Sequence, residues 1–285
     1  YLSIDADLQK ATYLALQNEI AAIVYSNIKS GEIPINDVYT ALIGNSVINT
    51  EHFSKSKASD TEKSVLSVFK SRQKTTLGKI KQELTSSPEA LNTMSDEVLD
   101  EFTYIISMLK DDQVLLKNEI DTSDSVYQKW KDQKISPKEY LNYCITQHWI
   151  DISQLNVDEK YADSTEVYDA LCKYILKNIK TDTEFSKIIY QYMITRGEIS
   201  PRQLCLILFD QGVLDYDDAT VNKLKNGSLS PRDFLMKKIY NIEITPAQLA
   251  LEPCIGSCVV TDEKTGEIRA MVSYPGYDSN KLANG

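Results

Sequence analysis

Apolar residues recur at three- and four-residue intervals along most of this chain, the period of helices that bury one face. In the first such segment Leu8, Ala15, Leu16, Ile20, Val24 and Ile28 keep one stripe. Asp5 stands where a carboxylate accepts the first free amides, and Gly31 with Pro34 predicts an end near Ser30. The longest predicted helix runs from about Thr61 to Leu84, with Leu66, Phe69, Leu77, Ile80 and Leu84 on one side. Two stretches depart from this period. The opening Tyr1-Leu2-Ser3-Ile4 reads as a short apolar strand, and the segment from Cys258 to Tyr274 reads as a β-hairpin. Its turn, Asp262 to Glu267, uses Gly266 for the positive φ that returns the chain, and Pro275-Gly276 ends the second arm. The expected fold class is mainly α with a small β element.

Helix starts are marked repeatedly by a hydroxyl residue followed by proline: Ser87-Pro88, Ser136-Pro137, Ser200-Pro201, Ser230-Pro231 and Thr245-Pro246. The hydroxyl caps an orphan amide, and proline in the first helical position loses nothing because its missing N–H had no partner there. Further starts are expected at Asp60, Ser95, Asp124, Ser164 and Asp182. Three units read alike: Ile135-Ser136-Pro137-Lys138, Ile199-Ser200-Pro201-Arg202 and Leu229-Ser230-Pro231-Arg232. Their separations, about 64 and 30 residues, do not fit a fixed-period solenoid. A bundle of short helices with recurrent capping chemistry accounts for them.

Composition adds limits. With 285 residues, 42% hydrophobic and 25% charged, the chain has an ordinary globular balance. No apolar run is long enough to span a membrane, and no basic-then-apolar signal segment opens the chain. Tyr1 starts in mid-strand and Gly285 ends in mid-loop, so a piece of a longer protein is expected. A net charge of −10 argues against nucleic acid as a partner. Basic residues nevertheless dominate between Lys55 and Lys81, and Lys63, Lys70, Lys74 and Lys81 fall on one line of the long helix. A solvated helix edge is the plain reading of that line; contact with an anionic polymer or with lipid headgroups is the functional one.

Candidate chemistry is sparse. Cys144, Cys172 and Cys205 sit at apolar helical positions and read as buried free thiols. Cys254 and Cys258 are spaced to admit a disulfide but not as redox or zinc motifs are, and His52 and His148 lie far from them. No Gly-rich loop cradles a phosphate, so no cofactor and no metal is expected. Serine followed by lysine three residues on occurs at Ser26/Lys29, Ser54/Lys57, Ser67/Lys70, Ser71/Lys74 and Ser107/Lys110, pairs that chance and helical composition supply. Tyrosine is abundant, 17 against six phenylalanines, which suits half-buried helix rims.

The two ends carry the most specific signal. Ser3-Ile4-Asp5-Ala6-Asp7-Leu8-Gln9 at the start, and Val259-Val260-Thr261-Asp262, Lys264-Thr265-Gly266-Glu267-Ile268 and Ala270-Met271-Val272-Ser273-Tyr274-Pro275-Gly276-Tyr277-Asp278 at the finish, resemble the opening of one domain. That domain is the transpeptidase domain of class B penicillin-binding proteins, the peptidoglycan D,D-transpeptidases. The stretch Ile244 to Leu251 is similar to forms in Gram-positive clostridial relatives. In the family such a strand and helix lead to such a hairpin after a short connection, whereas here more than two hundred residues intervene.

The resemblance implies three parts: residues 1–32 as the first strand and helix of the transpeptidase domain, 33–251 as a large helical insertion, and 252–285 as the hairpin and following loop. It implies a parent that cross-links peptidoglycan through an acyl-serine intermediate and meets β-lactams and stem peptides. That parent would work at the extracytoplasmic face of the membrane, anchored by a segment outside this chain. The family's nucleophilic Ser-x-x-Lys, its Ser/Asn pair and its Lys-Thr/Ser-Gly strand lie beyond such a hairpin. No catalytic residue is therefore expected here, and Lys264-Thr265-Gly266 is read as a turn that only spells the third motif. The insertion is expected to act as a spacer or to dock cell-wall synthesis or division proteins. Alternatives are a surface for anionic wall polymer built on the lysine line, and a stand-alone helical adaptor with no enzyme parent.

Overall fold

A computed structural model describes residues 3–86, 88–157 and 162–276. Twelve helices precede one hairpin among them: α1 (Ala6–Ser30), α2 (Ile35–Gly44), α3 (Asp60–Thr85), α4 (Asp96–Asp111), α5 (Ser125–Lys131), α6 (Pro137–Thr146), α7 (Ser164–Ile179), α8 (Thr183–Thr195), α9 (Pro201–Asp210), α10 (Asp218–Asn226), α11 (Pro231–Tyr240) and α12 (Pro246–Leu249). The hairpin pairs β1 (Gly256–Thr261) with β2 (Ile268–Tyr274) antiparallel, Val259 facing Met271. Mainly helical with a small β element is therefore the architecture.

Local chemistry explains most boundaries. The Asp5 carboxylate accepts from the amides of Asp7 and Leu8, and Gly31 closes α1 at φ 90°. Ser136, Ser200, Ser230 and Thr245 cap α6, α9, α11 and α12, each with proline in the first turn. Asp124 caps α5 as read. Other starts shift by one residue. The helix expected from Asp60 is capped by Ser59, whose Oγ accepts from Glu62 N–H while its own N–H donates to Glu62 Oε2. The start expected at Ser164 is capped by Asp163 in a reciprocal box with Glu166.

Two expectations are not met among the described residues. Ser87 lies outside the described residues, and no α-helix follows Pro88; a short 3₁₀ turn, Leu91–Thr93, stands there instead. A hydroxyl and a proline signal a start only where a periodic apolar face follows to reward it. Of the expected first strand, Tyr1 and Leu2 lie outside the described residues, and Ser3 and Ile4 belong to no strand.

Compactness divides the chain into one unit of Tyr1–Val65 with Met193–Gly285 and another of Leu66–Tyr192, the division falling inside α3 and inside α8. These compact units cut the chain elsewhere than at 32 and 251, the boundaries of the terminal resemblance.

In the first unit, Ile20, Val24 and Ile28 of α1, Leu42 and Ile43 of α2, Leu204 and Leu208 of α9, and Leu235 and Ile239 of α11 are buried. The stripe expected along α1 is buried only in its second half: Leu8 and Leu16 are half-buried and Ala15 is exposed. In the second unit Phe102, Ile105, Leu109, Leu141, Leu171, Ile175 and Ile189 form the core. Trp130 stacks on Tyr140 at 4.5 Å and Phe69 on Tyr190 at 4.2 Å between ring centroids. On α3 the buried line is Val65, Phe69, Thr76, Ile80 and Leu84, while Leu66 and Leu77 are half-buried. Among the described residues no helix is long and apolar enough to cross a membrane.

Candidate functional site

The two ends of the sequence meet inside the first unit. Asp5 N–H donates to the Arg269 carbonyl at 2.9 Å, and Ser3 Oγ donates to that of Ile268 at 2.8 Å. Gln9 makes a two-point clamp: its Nε2 donates to the Met271 carbonyl at 2.6 Å and its Oε1 accepts from Met271 N–H at 2.8 Å. Gly276 N–H donates to the Tyr13 hydroxyl at 3.3 Å. Gly256 of β1 lies so close to α1 that a Cβ there would come within 3.0 Å of Ile20 Cδ1 and 3.2 Å of Leu16 Cδ1. One face of the hairpin thus rests on α1, with Ala270, Val272 and Tyr274 buried.

The other face is exposed and mixes apolar side chains with the hydroxyls of Ser257, Thr261 and Ser273. Ile255, Val259 and Met271 are 67%, 55% and 57% exposed. Because Gln9 engages the Met271 backbone from outside the ladder, Met271 and Val259 form a pair whose backbone groups point away from each other. Val259 therefore turns its N–H and C=O to the open edge of β1, a strand with no charged residue.

The turn reading of Lys264-Thr265-Gly266 holds. The Asp262 carboxylate accepts from the amides of Lys264 and Thr265, Gly266 N–H donates to the Asp262 carbonyl, and Gly266 has φ 73°. These hydrogen bonds keep the Asp262 carboxyl below the usual carboxylate range. All the serines of the Ser/Lys pairs, at 26, 54, 67, 71 and 107, are exposed. Cys144, Cys172 and Cys205 are buried thiols, and burial pushes the first and third up to about 12 and the second to about 11. Cys254 and Cys258 are free thiols.

The predicted lysine line is exposed throughout: Lys63, Lys70, Lys74 and Lys81. The structure gathers three of them. Lys70, Lys74 and Lys81 line a cavity of about 490 Å³ with Gln73, Leu77, Gly78, Leu176 and Lys180; Lys63 is not part of it. Gln73 Nε2 donates to the Lys180 carbonyl at 3.0 Å, tying α3 to the end of α7. The result is a groove with a leucine floor and four ammonium groups. Lys180 and Leu176 escape sequence reading because nothing in their own segment links them to α3.

A buried carboxylate was also missed. Glu62 has no exposed surface, yet its Oε1 faces His52 Nδ1 at 2.7 Å and accepts from Gln211 Nε2 at 2.8 Å, while Oε2 accepts from Ser59 N–H at 2.7 Å. Burial pushes its carboxyl up, but the hydrogen bonds from Gln211, Ser59 and His52 together outweigh that and hold it below the usual range. A capping-box spacing was its only available signal. This cluster joins the α3 start to the 3₁₀ turn Thr50–Ser54 and to the end of α9.

Comparison with known protein families, with curated proteins and with solved structures returns no match.

Proposed function

We propose that this chain is a non-catalytic portion of a class B penicillin-binding protein, whose parent cross-links peptidoglycan by acyl-serine D,D-transpeptidation. The supporting observation is the assembly of the termini. Gln9 and Met271 are 262 residues apart, yet they lock together in a helix-hairpin unit whose parts carry the family-like motifs. The exposed face and open edge of the hairpin suit a sheet that continues into further strands. The chain between the halves then acts as a spacer or docks a cell-wall synthesis or division partner. Incubation of the 285-residue chain with fluorescent penicillin should leave it unlabelled, and a labelled serine would overturn the non-catalytic reading. For the parentage, the test is the reading frame beyond residue 285: a Ser-x-x-Lys helix within about a hundred residues supports it, and its absence counts against it.

A second reading rests on the lysine groove: Lys70, Lys74, Lys81 and Lys180 around Leu77 and Leu176 form a surface for an anionic wall polymer. Co-sedimentation with purified walls measures it. Binding that persists in a variant with Lys70, Lys74, Lys81 and Lys180 all changed to alanine would reject the groove lysines as its cause.

A further inference from the structure

The lysine groove between α3 and the end of α7 brings cations together without acids to answer them. Among the described residues none of Lys70, Lys74, Lys81 and Lys180 forms an ion pair. Elsewhere Lys134, Lys187 and Lys238 each hold an acid close to them in sequence. The chain has 41 acidic residues against 31 basic ones, so the convergence does not come from a shortage of carboxylates. Like charges held around one groove raise one another's energy, and an anion between them relieves it. All the lining residues lie within the single unit Leu66–Tyr192.

The arrangement selects the shape of the guest. Along the α3 axis Lys70 and Lys74 are about 6 Å apart and Lys74 and Lys81 about 10 Å apart, one straight row. Lys180 belongs to the other wall, which the Gln73 bond to its carbonyl fixes against α3. Charges on two walls over a floor of Leu77 and Leu176 suit a thread lying between them, a form that a flat bilayer surface does not offer. Among the described residues no aromatic side chain lines the groove, so the bases of a nucleic acid find nothing to stack on. No arginine lines it either. A guanidinium fork fits a planar carboxylate, whereas an ammonium is a point charge whose donors rotate to follow a phosphate. A phosphodiester lies in the backbone of its thread and turns an anionic oxygen to each wall, while the carboxylate of an acidic sugar projects from one side of its ring.

We propose that the groove takes a thread of polyol units joined by phosphodiesters, its phosphates on the four ammonium groups and its CH groups on Leu77 and Leu176. The proposal rests on the wall-polymer reading above and names the chemistry of that polymer. Its test is titration calorimetry of the 285-residue chain with synthetic poly(glycerol phosphate), against polygalacturonate, polyuridylate and phosphatidylglycerol vesicles. Poly(glycerol phosphate) should bind tightest, its log affinity falling with log salt at a slope of about −3, from four phosphates at about 0.7 each. Lys180→Ala should weaken binding severalfold and bring the slope to about −2. Lys63→Ala, on the same helix but outside the groove, should change neither. All these side chains are exposed, so the variants keep the fold. Equal or tighter binding of polygalacturonate, polyuridylate or vesicles would overturn the polyol phosphodiester. An unchanged slope in Lys180→Ala, or an equal loss in Lys63→Ala, would overturn the groove as its seat. If poly(glycerol phosphate) gives no saturable heat while purified walls still pellet the chain, this inference fails alone; if walls do not pellet it either, the wall-polymer reading falls as well.

Discussion

Replacing Gln9 with leucine keeps the aliphatic stem on α1 and removes both arms of the clamp on Met271. The hydrogen bonds are 2.6 and 2.8 Å long and sit at a half-exposed strand edge, so water can take over part of each. At about 1 kcal/mol per bond, the expected loss is about 2 kcal/mol. That corresponds to roughly a thirtyfold change in the local opening equilibrium. Amide hydrogen exchange read at single-residue resolution is the assay. Met271 N–H should exchange roughly thirty times faster in the variant. Ala270 and Val272, whose ladder neighbours are Val260 and Cys258, should change much less because their backbone groups face β1. Unchanged exchange at Met271 would refute the clamp, and with it the claim that α1 fixes the hairpin through this side chain.

Glu62 makes a pH prediction. Its folded carboxyl titrates below its unfolded value, so the stability it contributes is present above about pH 4.3 and is lost as pH falls through the folded value. Thermal melts should therefore drop in acid below about pH 4, and Glu62→Gln should flatten that drop while lowering stability at neutral pH. Gly256→Ala should cost about 1–3 kcal/mol by pressing a methyl group against Ile20 and Leu16, seen as a lower denaturation midpoint. Gly78→Ala should do the reverse. A Cβ there meets nothing within 4 Å, and exchanging glycine for alanine within α3 should stabilise by about 1 kcal/mol.

Helices and hairpin were legible in the sequence because their determinants are local. Asp5, Ser136, Ser200 and Ser230 act on backbone groups two or three residues away, and Gly266 on one four residues back, contacts that need nothing from distant segments. The lysine line was legible for the same reason, since helical period alone aligns it. Its groove was not: Lys180 and Leu176 reach Lys70 and Lys81 only through the pairing of α3 with the end of α7. The cluster ties Glu62 to Gln211, 149 positions away, and no periodicity in one segment announces a partner in another. The failed start at Pro88 marks the opposite error, a local signal with no tertiary reward. Likewise Leu66 and Leu77 belong to the apolar face of α3 by spacing, but Thr76 occupies the buried line between Phe69 and Ile80.

The clamp between Gln9 and Met271 also sets an order of events during synthesis. At about 5–20 residues per second, the 262 residues that separate them take on the order of 13 to 50 seconds to emerge. Throughout that interval the face of α1 that receives Gly256 is unoccupied, while the continuous unit Leu66–Tyr192 has its whole sequence available much earlier. Helix α1 is thus completed only after the hairpin emerges, and a ribosome that stalls before Met271 leaves its hairpin-facing side without a cover.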